Sequence, residues 1–361
     1  MRSLSTLFLL LALSIAAGAQ PRLVLVDEDA AGPGGSNQMA ILALLQAPQV
    51  QVLGITIVTG DAWRDEETLH TLRMLELTGH ADVPVVKGAA FPLVRTREET
   101  LARQSLDGRA PWLGAWGGAV ALMPAAPAAH GPNAIPPLPE GAPATKPLDE
   151  DAAHFLIRQV RAHPHQVTVY AAGPLTNIAL AVALDPEFAA LAQGLVLMGG
   201  SLNPQTSKPE FAANPRREFN LWFDPEAAHM VLRAPWPRID LTPIDATVKA
   251  PFTQAMLDEI SKAQTPAARY IAAWSQHRTD MWDELAACIW LDPTIVTKEA
   301  TLYIDVDLSH GPSYGDTLAW PESLKPATDL HPVHVQLEID QSRFEKLFVD
   351  LMTRELMPRA Q

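Results

Sequence analysis

Three carboxylates stand side by side at Asp27-Glu28-Asp29, directly after the apolar run Leu23 to Val26. Carboxylates this close repel one another unless a cation or a proton intervenes. Hard dications such as Ca²⁺ prefer oxygen ligands of this kind. Asp61 follows a second apolar run, Val50 to Val58, and Trp282-Asp283 opens an apolar stretch that reaches Leu291. Taken alone, Asp27 to Asp29 reads equally well as a solvated acidic turn. Glu218-Phe219-Asn220 forms a second group. A carboxylate accepts hydrogen bonds while an amide both accepts and donates, a combination that suits vicinal hydroxyls. Helix capping is the competing reading of that spacing.

These residues need elements to position them. Leu23 to Val26 reads as a buried parallel strand, followed by a Gly-rich loop over Ala30 to Asn37 and a helix beginning over Met39 to Leu45. A strand over Val50 to Val58, a helix over Asp65 to Leu77 and a strand over Val83 to Val86 continue the alternation. After an interruption come a helix at Asp151 to Ala162, a strand at Gln166 to Ala171, a helix at Leu175 to Ala183, a strand at Leu195 to Met198 and a helix at Pro225 to Leu232. The pattern predicts an α/β fold, an open and mostly parallel β-sheet with helices on both faces and a Rossmann-like core. Ligands of such sheets lie beyond the carboxyl ends of the strands, where the acids fall. The interruption, about 108–148, carries Trp112, Trp116 and eight Pro between Pro124 and Pro147. It reads as an insertion of polyproline character rather than as a domain with its own core.

Composition narrows the classes. The 361 residues are 48% hydrophobic, with 41 acids against 27 bases and a net charge of −14, which excludes a disordered chain and argues against a nucleic-acid surface. A single Cys, Cys288, excludes an internal disulfide framework and any Cys-built metal site. Gly32-Pro33-Gly34-Gly35 lacks the dinucleotide-binding spacing. Residues 1–19 read as an export signal: Arg2, an apolar run from Leu7 to Ala17, and the small-residue site Ala17-Gly18-Ala19. The expected product is one domain over 20–361, exported to a periplasm or medium, without a membrane span and free to form a homo-oligomer.

Taken in order, several segments resemble the inosine–uridine-preferring nucleoside hydrolase family: Val24 to Asp29, Leu53 to Asp61, Val83 to Ala89, Gly173-Pro174-Leu175-Thr176-Asn177-Ile178-Ala179, Met198-Gly199-Gly200, Glu218 to Ala228, and Trp282 to Ala286. The resemblance implies a Ca²⁺-dependent enzyme that hydrolyses the N-glycosidic bond of ribonucleosides, its metal orienting a water and holding the ribose hydroxyls. Asp29 matches the family's second Asp, a metal ligand and the general base. Asp283 matches the late metal ligand, and Ala172 would offer a backbone carbonyl. Glu218 and Asn220 match ribose-binding positions and Met198 a site-lining one, with Asn214 a looser match upstream.

The family's motif reads Asp-x-Asp-Pro-Gly-x-Asp-Asp, and here Ser36 and Asn37 occupy the last two positions after a few inserted residues. Asn37 offers one neutral oxygen where the family has a carboxylate, which predicts weaker Ca²⁺ binding. Strand alternation puts Glu28 on the face opposite Asp27 and Asp29. Asp61 stands where an Asn is usual and can restore charge. Trp282 stands where a His is frequent, so leaving-group assistance is expected from stacking on an aromatic, which favours purines. Trp282, Trp112, Trp116 and Trp63 are the candidates, each also readable as core. Two other readings stay open: a ribosyl-ligand-binding protein that has lost its metal, and a hydrolase of another ribosyl or glycosyl compound.

Overall fold

The computed structural model describes residues 20–117, 129–275 and 279–355. The export signal read at 1–19 and the stretch 118–128 of the insertion lie outside the described residues. Nine strands form one sheet: β1 (Arg22–Glu28), β2 (Val50–Ile57), β3 (Val85–Lys87), β4 (Val167–Ala171), β5 (Gly194–Met198), β6 (Ile239–Thr242), β7 (Val296–Val306), β8 (Thr317–Trp320) and β9 (Pro332–Ile339). Their order is β3-β2-β1-β4-β5-β6-β9-β7-β8. Pairing is parallel from β3 through β9, and antiparallel where β7 joins β9 and β8. β4 and β5 are buried at every residue, which is why they read as unbroken apolar runs rather than alternating ones.

Chain order explains where a site forms. The chain leaves β1 outward through β2 to β3, then returns to the other side of β1 as β4. A crevice opens where the direction switches, at the carboxyl ends of β1 and β4. Asp27 and Glu28 end β1 and Ala171 ends β4, in register with Asp27.

Helices cover both faces: α1 (Gly35–Gln46), α2 (Arg64–Thr78), α3 (Arg97–Asp107), α4 (Ala152–Ala162) and α5 (Thr176–Leu184) come first. One core joins α1 to the helices Trp282–Leu291 and Gln341–Met352, and the other joins α4 and α5 to the helix Pro225–Leu232. The helix α1 starts earlier than its apolar spacing suggests, so Ser36 and Asn37 sit in its first turn instead of a loop. Among the described residues, no helix is long and apolar enough to cross a membrane.

The described parts of the insertion are packed. The Leu148 N–H donates to Val85 O at 2.8 Å, extending the sheet past β3. Glu76 of α2 accepts from the Ala144 and Thr145 N–H groups and from the Thr145 hydroxyl. Burial alone would raise the Glu76 carboxyl, but the Thr145 bonds and Arg73 bring it down to about 2. At the insertion's start, Ala110, Leu113 and Trp116 bury against Trp63, Trp222 and Phe223. Trp116 stacks on Phe223 with ring centroids 4.3 Å apart.

Candidate active site

The three consecutive acids at the end of β1 point three ways. Asp27 Oδ1 accepts from the Thr56 hydroxyl at 2.5 Å and the Asn177 amide at 2.7 Å. Asn177 Oδ1 in turn accepts from the Ala89 N–H at 2.7 Å, tying β1, α5 and the segment after β3 together. Glu28 Oε2 accepts from Asn37 Nδ2 at 3.3 Å, on the α1 side. Asp29 lies past the strand, where alternation ends. Its Oδ1 accepts from Asn37 Nδ2 and its Oδ2 from the Asp61 N–H, both at 2.9 Å. Glu28 therefore does oppose Asp27, yet it shares the Asn37 amide with Asp29.

Glycines make this packing feasible. A Cβ on Gly60 would fall 2.1 Å from Asp29 Oδ2, and one on Gly173 would fall 3.0 Å from Asp29 Oδ1. Ala172, buried and donating its N–H to Asp27 O at 3.0 Å, leads into Gly173 on this side of Asp29. Asp283 enters from the helix Trp282–Leu291. Ser36 clamps that helix to α1, donating to Glu284 Oε2 at 2.5 Å and accepting from the Asp283 N–H at 3.1 Å. The Ser36 hydroxyl is thus spent on the scaffold.

Electrostatically the crevice is one-sided. Burial pushes the Asp29 carboxyl well above the usual range, and Asp61, Glu67 and Asp283 push it further. Burial does the same to Glu28, followed by Asp283 and Asp29, and to Asp283, followed by Glu284 and Asp61. Burial lifts Asp61 to about 6, against the Trp112 indole that holds it down. The charges acting on Glu28, Asp29 and Asp283 are all carboxylates, and Glu28 Oε1 is buried with no partner. An all-oxygen, anionic donor set with an orphaned carboxylate oxygen fits a hard dication in its chemistry. Asn37 offers it an amide N–H instead of an oxygen as described. Among the described residues, no three His, Cys, Asp or Glu side chains converge into a ligand shell.

Glu218, Asn220 and Met198 come together on the far side, at the end of β5. Glu218 caps the short helix Phe219–Phe223: Oε1 accepts from the Asn220 N–H at 2.8 Å, and Oε2 from the Leu221 and Gly200 N–H groups at 3.1 and 2.9 Å. The Asn220 amide donates to Met198 O at 3.2 Å. Capping and ligand placement are therefore one arrangement here, because the cap fixes both side chains at the mouth of β5. Asn214 directs its amide to Asp316 at 3.0 and 3.1 Å and accepts from the Arg216 N–H.

Of the four tryptophans, the structure brings Trp112 to the acids. Its Nε1 donates to Asp61 Oδ1 at 2.5 Å, and its ring centroid lies 6.5 Å from that of Phe219. The Ala115 N–H donates to Gly60 O at 2.9 Å and holds this part of the insertion over the site. Trp116 and Trp63 are buried in the aromatic cluster, and Trp63 spends its indole N–H on His130 O. Trp282 is half-buried against the core beside Asp283. Glu67, Glu284, Asn177 and Glu210 also belong here, and sequence reasoning passed over all four. Glu67 and Glu284 look like ordinary helix-surface acids; Glu284 lies within an apolar turn that hints at burial, whereas Glu67 follows Asp65 and Glu66 and carries no such signal. Burial, then Glu218, lifts Glu210 to about 7.

Comparison with known proteins gives a consistent result. The sequence profile of the family described as "Inosine-uridine preferring nucleoside hydrolase" matches residues 24–346. A rice protein named "Probable uridine nucleosidase 1" is 31% identical over 260 residues, covering 71% of this chain and 69% of its own. The inosine-uridine preferring nucleoside hydrolase of Crithidia fasciculata is 26% identical, covering 92% of this chain and 98% of its own. Among solved structures, a plant nucleoside hydrolase superposes with a TM-score of 0.70 at 24% identity, covering 92% of this chain and 99% of that one.

Proposed function

Because the chain belongs to the inosine-uridine preferring nucleoside hydrolase family, and so hydrolyses the N-glycosidic bond of ribonucleosides, we propose that Asp29 is the base that takes a proton from the attacking water. The water oxygen adds to the anomeric carbon and the C–N bond breaks. The base departs with the bonding pair and takes up a proton, and ribose remains. One observation carries the assignment: at the switch point of the sheet Asp29 is gripped on both carboxylate oxygens, facing Asp61 and Asp283. Asp29, Glu28 and Asp283, with the Ala172 carbonyl and with Asn37 once its amide is turned to present the oxygen, are the groups that would hold Ca²⁺. When bound, the ion would neutralise this cluster and acidify a water.

The ribose hydroxyls fall to Glu218 and Asn220, with Met198 beneath them. Trp112, bonded to Asp61, and Trp282, beside Asp283, are the aromatics that would meet the base, and such stacking would favour the larger purines. Residues 1–19 support export of the enzyme. A reducing-sugar assay over inosine, adenosine, uridine and cytidine, with metal analysis of the same sample, tests the reading. Sugar release that falls on chelation and returns with Ca²⁺ supports it. Activity indifferent to chelation removes the metal, and saturable ribose binding without release from any nucleoside favours a binding protein.

A further inference from the structure

A pocket of about 40 Å³, lined in part by Trp222, opens to solvent. One wall is α3, where Thr100, Gln104 and Asp107 recur at four- and three-residue intervals and so share a face. The other walls carry Arg95, Arg217 and Tyr314. Four of these residues hold a buried hydrogen-bond donor with no partner: Arg95 Nε, Arg217 Nε, Thr100 Oγ1 and Gln104 Nε2. Among the described residues, every buried side-chain nitrogen without a partner lines this one pocket. The orphaned atoms elsewhere are all oxygens, most of them carboxylate.

A buried donor left unpaired is costly, so a cluster of them marks a place for an acceptor. The acids around these donors do not pair with them: Glu226 acts on Arg95 from nearby but accepts from the Tyr314 hydroxyl, and its Oε2 is left without a partner. Asp107 takes the Arg103 Nε at 2.8 Å, and Glu99 sits at the rim, 3.4 Å from His310. Asp316 stands 3.6 Å from Arg217 Nε, in ion-pair range but beyond a hydrogen bond. Arg95 and Thr100 are each 7% exposed. Arg95 is fixed rather than mobile: its guanidinium lies 4.5 Å from the Trp222 ring and 4.1 Å from the Tyr314 ring, and donates to Tyr314 O at 3.0 Å. Such preorganised guanidinium donors beside hydroxyl and amide donors suit a tetrahedral oxyanion.

We infer that this pocket is a second binding site, for a small phosphate-type oxyanion held by Arg95, Arg217, Thr100 and Gln104. The ligand would join α3 to the segment that carries Glu218 and Asn220, since Arg217 and Trp222 flank those residues. The chemistry is shared by free inorganic phosphate and by a phosphate monoester, and the experiment separates them.

The full chain in phosphate-free buffer is titrated with inorganic phosphate and with glycerol phosphate, read by calorimetry and by melting temperature, with chloride at equal ionic strength as control. The expected result is saturable binding and a rise in melting temperature that chloride does not give. The double variant Thr100→Val/Gln104→Leu should bind at least about tenfold more weakly, equivalent to about 1.4 kcal/mol. Its melting temperature without ligand should be unchanged or higher, because unpartnered polar atoms have been replaced by apolar ones of similar shape. The single variant Gln104→Leu gives the same comparison should the double variant fold poorly. Equal binding of both anions upholds an open site that also takes esters, and binding of inorganic phosphate alone upholds a closed one. No saturable response from either anion overturns the inference. An equal response in wild type and variants, meaning an adventitious ion only, also overturns it.

Discussion

Asp29→Asn separates chemistry from folding, because the structure predicts effects of very different size on each. The carboxylate accepts two bonds at 2.9 Å, from the Asn37 amide and the Asp61 N–H. An amide keeps the shape but has one acceptor oxygen, so one bond is lost, at about 1 kcal/mol. Against that, a negative charge leaves the neighbourhood of Asp61, Glu67 and Asp283, which returns on the order of 1 kcal/mol. Net stability should therefore stay within about 1 kcal/mol of wild type, a shift of a few degrees at most. Turnover should fall ~10²–10⁴-fold, or about 3–5 kcal/mol of barrier, because an amide cannot take the proton of water. Initial rates of sugar release and a thermal melt on one preparation measure both. Turnover within tenfold of wild type would refute Asp29 as the base; a collapse in melting temperature would refute the balance of bonds and charges.

Asn37→Asp places a third carboxylate against Asp29 and Glu28 in place of the amide that now bridges them. The variant should melt lower than wild type in chelator and gain more from added Ca²⁺; identical melts in both conditions would show that no cation is held there. Trp112→Phe removes the donor that holds Asp61 down, so kcat/KM should drop with the melting temperature nearly unchanged. Trp282→Ala should cost purine nucleosides more than uridine, by ~1–3 kcal/mol if the ring stacks on the base, whereas an equal loss on both with a lower melt marks it as core packing. Glu210, raised from 4.5 to about 7, binds more protons folded than unfolded. It contributes stability below pH 4.5 that is lost as pH rises through 7, up to about 3 kcal/mol. Glu210→Gln should flatten that slope in pH-dependent melts, and an unchanged slope would place the titration elsewhere.

The legible parts of the fold were those written locally. β1, β2, β4 and β5 are short buried runs with turn residues after them, and their helices carry apolar spacing, so the parallel half followed from periodicity. The antiparallel β7 and β8 were not legible. β7 is exposed along much of its first half and alternates with charge, as an edge strand does, which resembles a loop when read alone. The early start of α1 was hidden too, because Gly34 and Gly35 look like loop yet supply the positive φ values, 73° and 86°, that lead the chain into the helix.

The site divides along the same line. Asp29, Asp61 and Asp283 could be picked out because each adjoins an apolar run that the fold must bury. The contacts that give those acids their character come from residues far along the chain. Asn177 reaches Asp27 across 150 residues, and Trp112 reaches Asp61 across 51. Neither partner is set by local spacing. Trp112 depends on how the Pro-rich insertion is anchored, through Ala115 to Gly60 at one end and Leu148 to Val85 at the other. That anchoring bears on function. The insertion brings the Trp112 indole as a hydrogen-bond donor to Asp61, in a cluster whose charges are all carboxylates. Asn37, which bridges Glu28 and Asp29, and Trp112, which donates to Asp61, act on carboxylates joined by the Asp61 N–H to Asp29 bond, so a change in one should be felt through Asp61 by the other. Combining Asn37→Asp with Trp112→Phe in a double-mutant cycle would measure that coupling, and strict additivity would show the two to be independent.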